Sequence, residues 1–313
     1  MYEVIVKASS FVIIIILGYT CKRIGFMTKD DSRVMAKIMT NFTLPGAVIV
    51  GFSQLDEKIN AMMMAVVLLG IVFNAIMLFL GWLFSKGKGW PVRALYMASF
   101  PGYNIGCFAL PFITAFLGPF GVVITCMYDA GNSMMMVGGS ILALAKAKAV
   151  YFKTNWREEL ANIKKLVNNF VPLSTYLVML TLSILGLKLP GEVVTLASTI
   201  GSASAFVGMF TVGLLLEIST DIVRLKEAGT IVATRFVTSC IFASISYFIL
   251  PLSLPIRQTL TLISFAPIAS ICSIITGATG GDSGVSSFAT SCSVFVSVIA
   301  MMALSVAMGI GTF

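Results

Sequence analysis

Ten long apolar stretches alternate with short polar connections along the chain, over residues 4–21, 38–53, 61–85, 92–117, 120–145, 170–187, 193–216, 229–252, 256–279 and 283–310. A hydrocarbon core about 30 Å thick takes roughly 20 mainly apolar residues of helix, and helix satisfies its own backbone polar groups. Each stretch therefore reads as a membrane span. Composition agrees: 58% of the 313 residues are hydrophobic and 11% charged, against about 45–50% and about 25% in soluble domains. At a mean hydropathy of +0.99 too little polar surface exists to cover a water-soluble fold, and the expected fold is an all-α polytopic membrane protein.

The chain contains no His. This excludes histidine metal sites, Ser-His-Asp and Cys-His nucleophiles and histidine proton relays. Cys21, Cys107, Cys126, Cys240, Cys272 and Cys292 show no C-x-x-C spacing and lie among apolar or small residues, so they read as free thiols. Without a paired-Asp motif or a carboxylate cluster, no catalytic residue, metal site or organic cofactor is expected, and an enzyme or a receptor ranks last. The apolar run 11–17 is followed by Cys21, Lys22 and Arg23 without an A-x-A pattern, and reads as a retained first span.

Most of the 21 Lys and Arg fall in the loops after the odd-numbered spans. The positive-inside rule makes those loops cytoplasmic and places both termini outside, in a multi-pass protein of the cell membrane. The net charge of +8 is then a topology signal, and no nucleic-acid partner is implied. Arg235, inside span eight, is expected at an interface where its stem can snorkel. The one long connection, 146–169, carries six basic residues around Trp156 and reads as an amphipathic crossover lying on the anionic leaflet.

That linker separates two five-span groups, 1–145 and 170–313. Ile16-Leu17-Gly18-Tyr19 is matched by Ile184-Leu185-Gly186-Leu187, Val92-Arg93 by Ile256-Arg257, and Ser99-Phe100-Pro101 by Ser264-Phe265-Ala266-Pro267. Five being odd, two such repeats have opposite orientations, the inverted-repeat plan of secondary transporters. Span four contains Pro101-Gly102-Tyr103-Asn104-Ile105-Gly106, and span nine has Ala266-Pro267-Ile268-Ala269-Ser270 at the corresponding depth. Proline removes a backbone donor and glycine relaxes the dihedrals, so both helices are expected to break and cross.

A half-helix amide end at such a break suits an anionic group, with Asn104 able to donate and accept. Pro101, Gly102, Tyr103, Asn104, Pro267, Ile268, Ala269 and Ser270 form the expected binding site for a small organic anion. A single proline kink more often only shapes packing; the matched pair favours a site. Asn41, ahead of Pro45 in span two, either reaches the cavity or bonds a freed carbonyl, and both readings stand.

Asp129 lies about nine residues inside span five, roughly 13 Å deep at 1.5 Å per residue. An intramembrane carboxyl is a functional-site hypothesis by default. Asp129 either carries a coupling proton or, ionised, ligates sodium with Asn132 and Ser133; the plainer alternative is a protonated Asp bonded to Tyr103, Asn104 or a free carbonyl. Ser291 is the further candidate for the coupling or ion site; the hydroxyl-rich run that holds it, with Ser286, Ser287, Thr290 and Ser293, either lines the cavity or permits tight packing. Asp282 reads as a helix cap, Glu217 as interfacial, and Met62–Met64 and Met134–Met136 as apolar filler.

In their order over the whole chain, Leu17-Gly18-Tyr19 followed by Lys22-Arg23-Ile24-Gly25, Asn41-Phe42-Thr43-Leu44-Pro45, the Pro101/Asn104 break, Tyr128-Asp129 with Asn132, and the Gly-Asp-Ser opening of span ten resemble the auxin efflux carrier family, wider kin of the bile acid and sodium symporters. The resemblance implies a scaffold of spans one, two, six and seven, a mobile unit of the others, a homodimer formed through the scaffold, and elevator-type alternating access. It implies as substrate an auxin-like weak acid or a dicarboxylate such as malate, with a sodium-coupled symporter as the alternative. The long hydrophilic loop of many plant members is absent, and span nine reads Ala-Pro-Ile-Ala where span four reads Pro-Gly-Tyr-Asn.

Overall fold

A computed structural model describes residues 2–28, 30–55, 57–166, 171–217 and 222–310. The described chain is helical, with no strand beyond one isolated bridge. Its first helices are α1 (Tyr2–Arg23), α2 (Asp31–Ser53), α3 (Ala61–Phe84), α4 (Trp90–Ser99) and α5 (Ile105–Phe152). A short helix α6 (Trp156–Leu166) and α7 (Val171–Ile184) follow, then α8 (Gly191–Leu215), α9 (Leu225–Ile249), α10 (Leu254–Ser264), α11 (Ile271–Ala278) and α12 (Ser283–Ala307). Six of them, α2, α3, α5, α8, α9 and α12, are long and apolar enough to cross a bilayer by length and composition. This is a membrane-embedded helical protein. Ile13 and Ile16 of α1, Leu68 and Phe79 of α3 and Ile299 of α12 are exposed, as apolar residues facing lipid should be.

Local chemistry sets the ends of these helices. Asn60 caps α3 by accepting from Met63 N at 3.0 Å, and Asp282 caps α12 by accepting from Gly284 N and Val285 N at 2.8 and 3.1 Å, the role its position suggested. Pro91 and Pro255 stand in the first turns of α4 and α10, where a missing N–H costs nothing. In α2, Pro45 is accommodated by a widened π-type turn over Met39–Thr43. The 48-residue α5 bends sharply at Gly118, whose φ of 61° and ψ of −159° suit glycine alone, and Pro119 gives up no ladder donor there. Its second arm runs to Phe152, several residues past the expected end at 145.

Helices meet backbone to backbone at glycines. A Cβ on Gly201 of α8 would lie 2.6 Å from Ala47 N of α2, and one on Gly46 would lie 2.8 Å from Ala197 O. Gly18 of α1 and Gly213 of α8 oppose each other in the same way, the close approach that small residues allow in lipid. A second group forms around α3, α5, α9 and α12, where Phe73 stacks on Phe242 at 4.1 Å and meets Tyr128 edge-on.

The crossover corrects an expectation. Helix α6 is amphipathic, but Leu160 and Ile163 pack against Met97, Ala98, Ile141 and Leu144, so its apolar face is covered by protein and not by the leaflet. The Lys148 ammonium, 2.8 Å from Glu159, holds that carboxyl below the usual carboxylate range. The contact is therefore present at neutral pH and lost as pH falls through that range. Glu159→Gln is expected to speed amide exchange over 156–166 at neutral pH, with the difference from wild type vanishing in acid once intrinsic rates are corrected. Equal exchange at neutral pH would mean that the apolar face alone docks the helix.

Candidate functional site

Helices α4 and α10 both stop in mid-structure, and the segments after them run antiparallel, bridged at Tyr103 and Ile268. Asn104 N donates to Pro267 O at 2.8 Å and Ala269 N to Gly102 O at 3.2 Å. Pro101, Gly102, Tyr103, Asn104, Pro267, Ile268 and Ala269 therefore meet as expected, with Ser270 at the start of α11. Gly102 has φ +85°, and a Cβ there would lie 2.7 Å from Met136 Sδ; the crossing requires glycine at this point.

Most polar groups freed by the breaks are taken up by side chains from neighbouring helices, as lipid demands of irregular backbone. Gly102 N donates to Asn74 Oδ1 at 2.9 Å and Ile268 N to Ser293 Oγ at 3.0 Å. Tyr103 is clipped on both sides by Asn132, whose Oδ1 accepts from Tyr103 N and whose Nδ2 donates to Tyr103 O, each at 3.1 Å.

Arg235 departs most from expectation. It is not snorkelling at an interface but 5% exposed, with its guanidinium 4.6 Å over the Tyr103 ring. Nη1 donates to Phe100 O and Nη2 donates to Ala266 O at 3.3 Å. One cation thus serves the carbonyl ends of both α4 and α10, where helix dipoles place partial negative charge. Its planar fork allows both bonds at once.

Asp129 is also buried and lies next to the crossing through Asn132. Oδ1 accepts from Asn132 Nδ2 at 2.8 Å and Oδ2 from Tyr176 OH at 2.7 Å, and the Ser133 hydroxyl engages the same carboxyl. The partners are thus Asn132, Ser133 and Tyr176, not Tyr103 or Asn104. Ser291 lies elsewhere: it donates to Ser287 O and accepts from Glu217 N at 2.7 Å, bonds that tie α12 to the end of α8. Asn41 donates to Lys37 O at 2.8 Å on its own helix.

What stays open is the Asn104 carboxamide. Asn104 stands at the N-terminus of α5, yet its side chain makes no capping bond, unlike Asn60 and Asp282, and no other protein partner is found among the described residues. It is 7% exposed. Ser270 likewise precedes α11 without capping it. Two half-helix amide ends therefore start at one crossing, beside the buried and unpartnered hydroxyls of Tyr103 and Tyr128. A cavity of about 290 Å³ lies between α2, the Gly118 bend and α8, lined in part by Gln54, Thr114, Ser198 and Ser202.

Arg235, Asn74 and Tyr176 were not anticipated as site residues. Asn74 and Arg235 carried a readable signal, a polar side chain deep in an apolar span; Tyr176 carried none. No protein-family model matches the chain, and no curated protein matches it.

Proposed function

We propose that the chain is a secondary carrier for a small organic anion, working by elevator-type alternating access in the cell membrane. The reading takes the helices as ten spans in two inverted repeats, with α4/α5 and α10/α11 as the broken spans four and nine. Its support lies in the parallel construction of these pairs: a first-turn proline, an arginine two residues later (Arg93, Arg257), a break, and a partner break running antiparallel to it. The unbonded Asn104 carboxamide at a half-helix amide end is the observation that carries the anion reading. It provides a donor and an acceptor where positive backbone charge favours a carboxylate.

The two helix groups fit a division of labour. Helices α1, α2, α7 and α8 are assigned the fixed scaffold, which the family resemblance makes a dimer interface. The crossing travels with α3, α5, α9 and α12. Proton coupling through Asp129 is favoured over sodium, because Asn132 spends its oxygen on Tyr103 N and presents only its NH₂ to the carboxylate. A flipped Asn132 would oppose oxygen to oxygen at both Asp129 and Tyr103. Auxin-like weak acids and dicarboxylates such as malate are the first substrates to try.

The test is uptake by purified protein in liposomes under imposed proton, sodium and substrate gradients. Asn104→Ala is expected to weaken the transported anion at least tenfold, the equivalent of one hydrogen bond to a charged group at about 1.5–3 kcal/mol, and to leave thermal stability unchanged because no protein bond is lost. Unchanged affinity would move the site away from the crossing. No movement of any mono- or dicarboxylate under any gradient would end the carrier reading.

A further inference from the structure

A groove of about 460 Å³ runs between α3, the start of α4 and the second arm of α5. Leu78 and Phe79 on one wall and Ala143 and Val150 on the other make it almost wholly apolar, and Met97 forms its floor. Two cations interrupt this lining, Arg93 and Lys146. Both stand at the end of the groove where α3 finishes, α4 begins and α5 approaches Phe152, the face that carries the basic loops. The Arg93 guanidinium has no hydrogen-bond or ion-pair partner among the described residues, and its Nε is buried without one. Of the two carboxylates of the adjoining α6, Glu159 is engaged by Lys148 and Glu158 is exposed. Lys146 lies 5.5 Å from the Trp156 ring and Lys86 lies 4.0 Å from the Trp82 ring, the mixture of aromatic and cationic groups that marks headgroup level.

We propose that this groove is a binding site for one anionic phospholipid, with its phosphate between Arg93 and Lys146 and an acyl chain along Phe79 and Ala143 toward the membrane interior. Arg93 and Lys146 line one groove with no carboxylate paired to either among the described residues, and a phosphodiester supplies an acceptor for the groove-facing part of the guanidinium together with the charge that two such cations require. The apolar walls supply what a free phosphate would not use. A crevice that held lipid without headgroup preference would have no need of Arg93 there. The inference is independent of what the protein carries.

Delipidated protein in detergent, titrated with phosphatidylglycerol or phosphatidylcholine and read by native mass spectrometry, tests it. One phosphatidylglycerol should be retained in preference to phosphatidylcholine. Arg93→Gln and Lys146→Gln should each lower its retention about fivefold, and together about 25-fold, from roughly 1 kcal/mol per cation near an anionic headgroup, with phosphatidylcholine retention unaltered. Lys164→Gln with Lys165→Gln, exposed cations outside the groove, should change nothing. Equal retention of the two lipids would overturn the proposal. So would an equal loss from the Lys164 and Lys165 changes, which would show diffuse attraction, or full competition by glycerol phosphate, which would show a soluble-anion site. Because Lys146 is exposed, its variant keeps the test decisive even if Arg93→Gln fails to fold.

Discussion

Arg235→Met should yield a protein that melts well below wild type in detergent and fails to transport. The side chain is nearly the same length and apolar, so the change removes the guanidinium while keeping most of the volume. Two carbonyls lose their donor together, Phe100 O and Ala266 O, in a place that water does not reach. Each buried orphan costs about 1–3 kcal/mol, and the stacking on Tyr103 is lost as well. Replacing a paired buried charge by apolar bulk is sometimes neutral, but only when both partners become apolar, and main-chain carbonyls cannot. Arg235→Lys should fall between, since a compact ammonium cannot offer a planar fork to two acceptors. The sharpest comparison is between variants: Arg235→Met should lose stability and transport together, whereas Asn104→Ala should lose binding alone. A wild-type melt for Arg235→Met would show that the half-helix ends are held without it.

The contrast between Arg235 and the helix breaks shows what a sequence of this kind makes legible. Pro101, Gly102 and Pro267 act on their own backbone, so the interruption of two helices follows from residue type and depth alone, and their facing each other follows from the matching positions. Asp282 as a cap is equally local. Arg235 acts on carbonyls 135 and 31 residues away, and a charge count that assigns every Lys and Arg to a membrane face necessarily draws it to the surface. The rule that singled out Asp129 applied with equal force to Arg235 and Asn74. Helix α6 was misplaced for another reason: an amphipathic pattern records that one face is apolar, but protein and lipid satisfy that face alike. The Gly118 bend was read only as a gap between two spans, because Gly-Pro signals a break without saying that helix resumes on both sides.

Asp129→Asn is expected to remove proton dependence from transport: wild-type uptake should vary with the imposed pH gradient and that of the variant should not, at a rate at least tenfold lower. The geometry makes this more than a loss of charge. Asp129 sits on α5, in the group assigned to move, and receives a hydrogen bond from Tyr176 on α7, in the group assigned to stay. Under the proposed elevator mechanism that bond would have to break in every cycle, whereas the bond from Asn132 would travel with the crossing. A carboxyl that receives a proton becomes a weaker acceptor for the tyrosine, so protonation loosens the tie between the two groups at the same point where it changes the charge beside the substrate. Tyr176→Phe separates the parts of this argument. If the bond is a tie released by protonation, the phenylalanine variant should keep substrate affinity, raise the rate at high pH where the tie is strongest, and flatten the pH profile. If the bond merely braces the fold, Tyr176→Phe should lower the melting point and slow transport equally at every pH. A wild-type pH profile in Asp129→Asn would assign coupling to another group altogether.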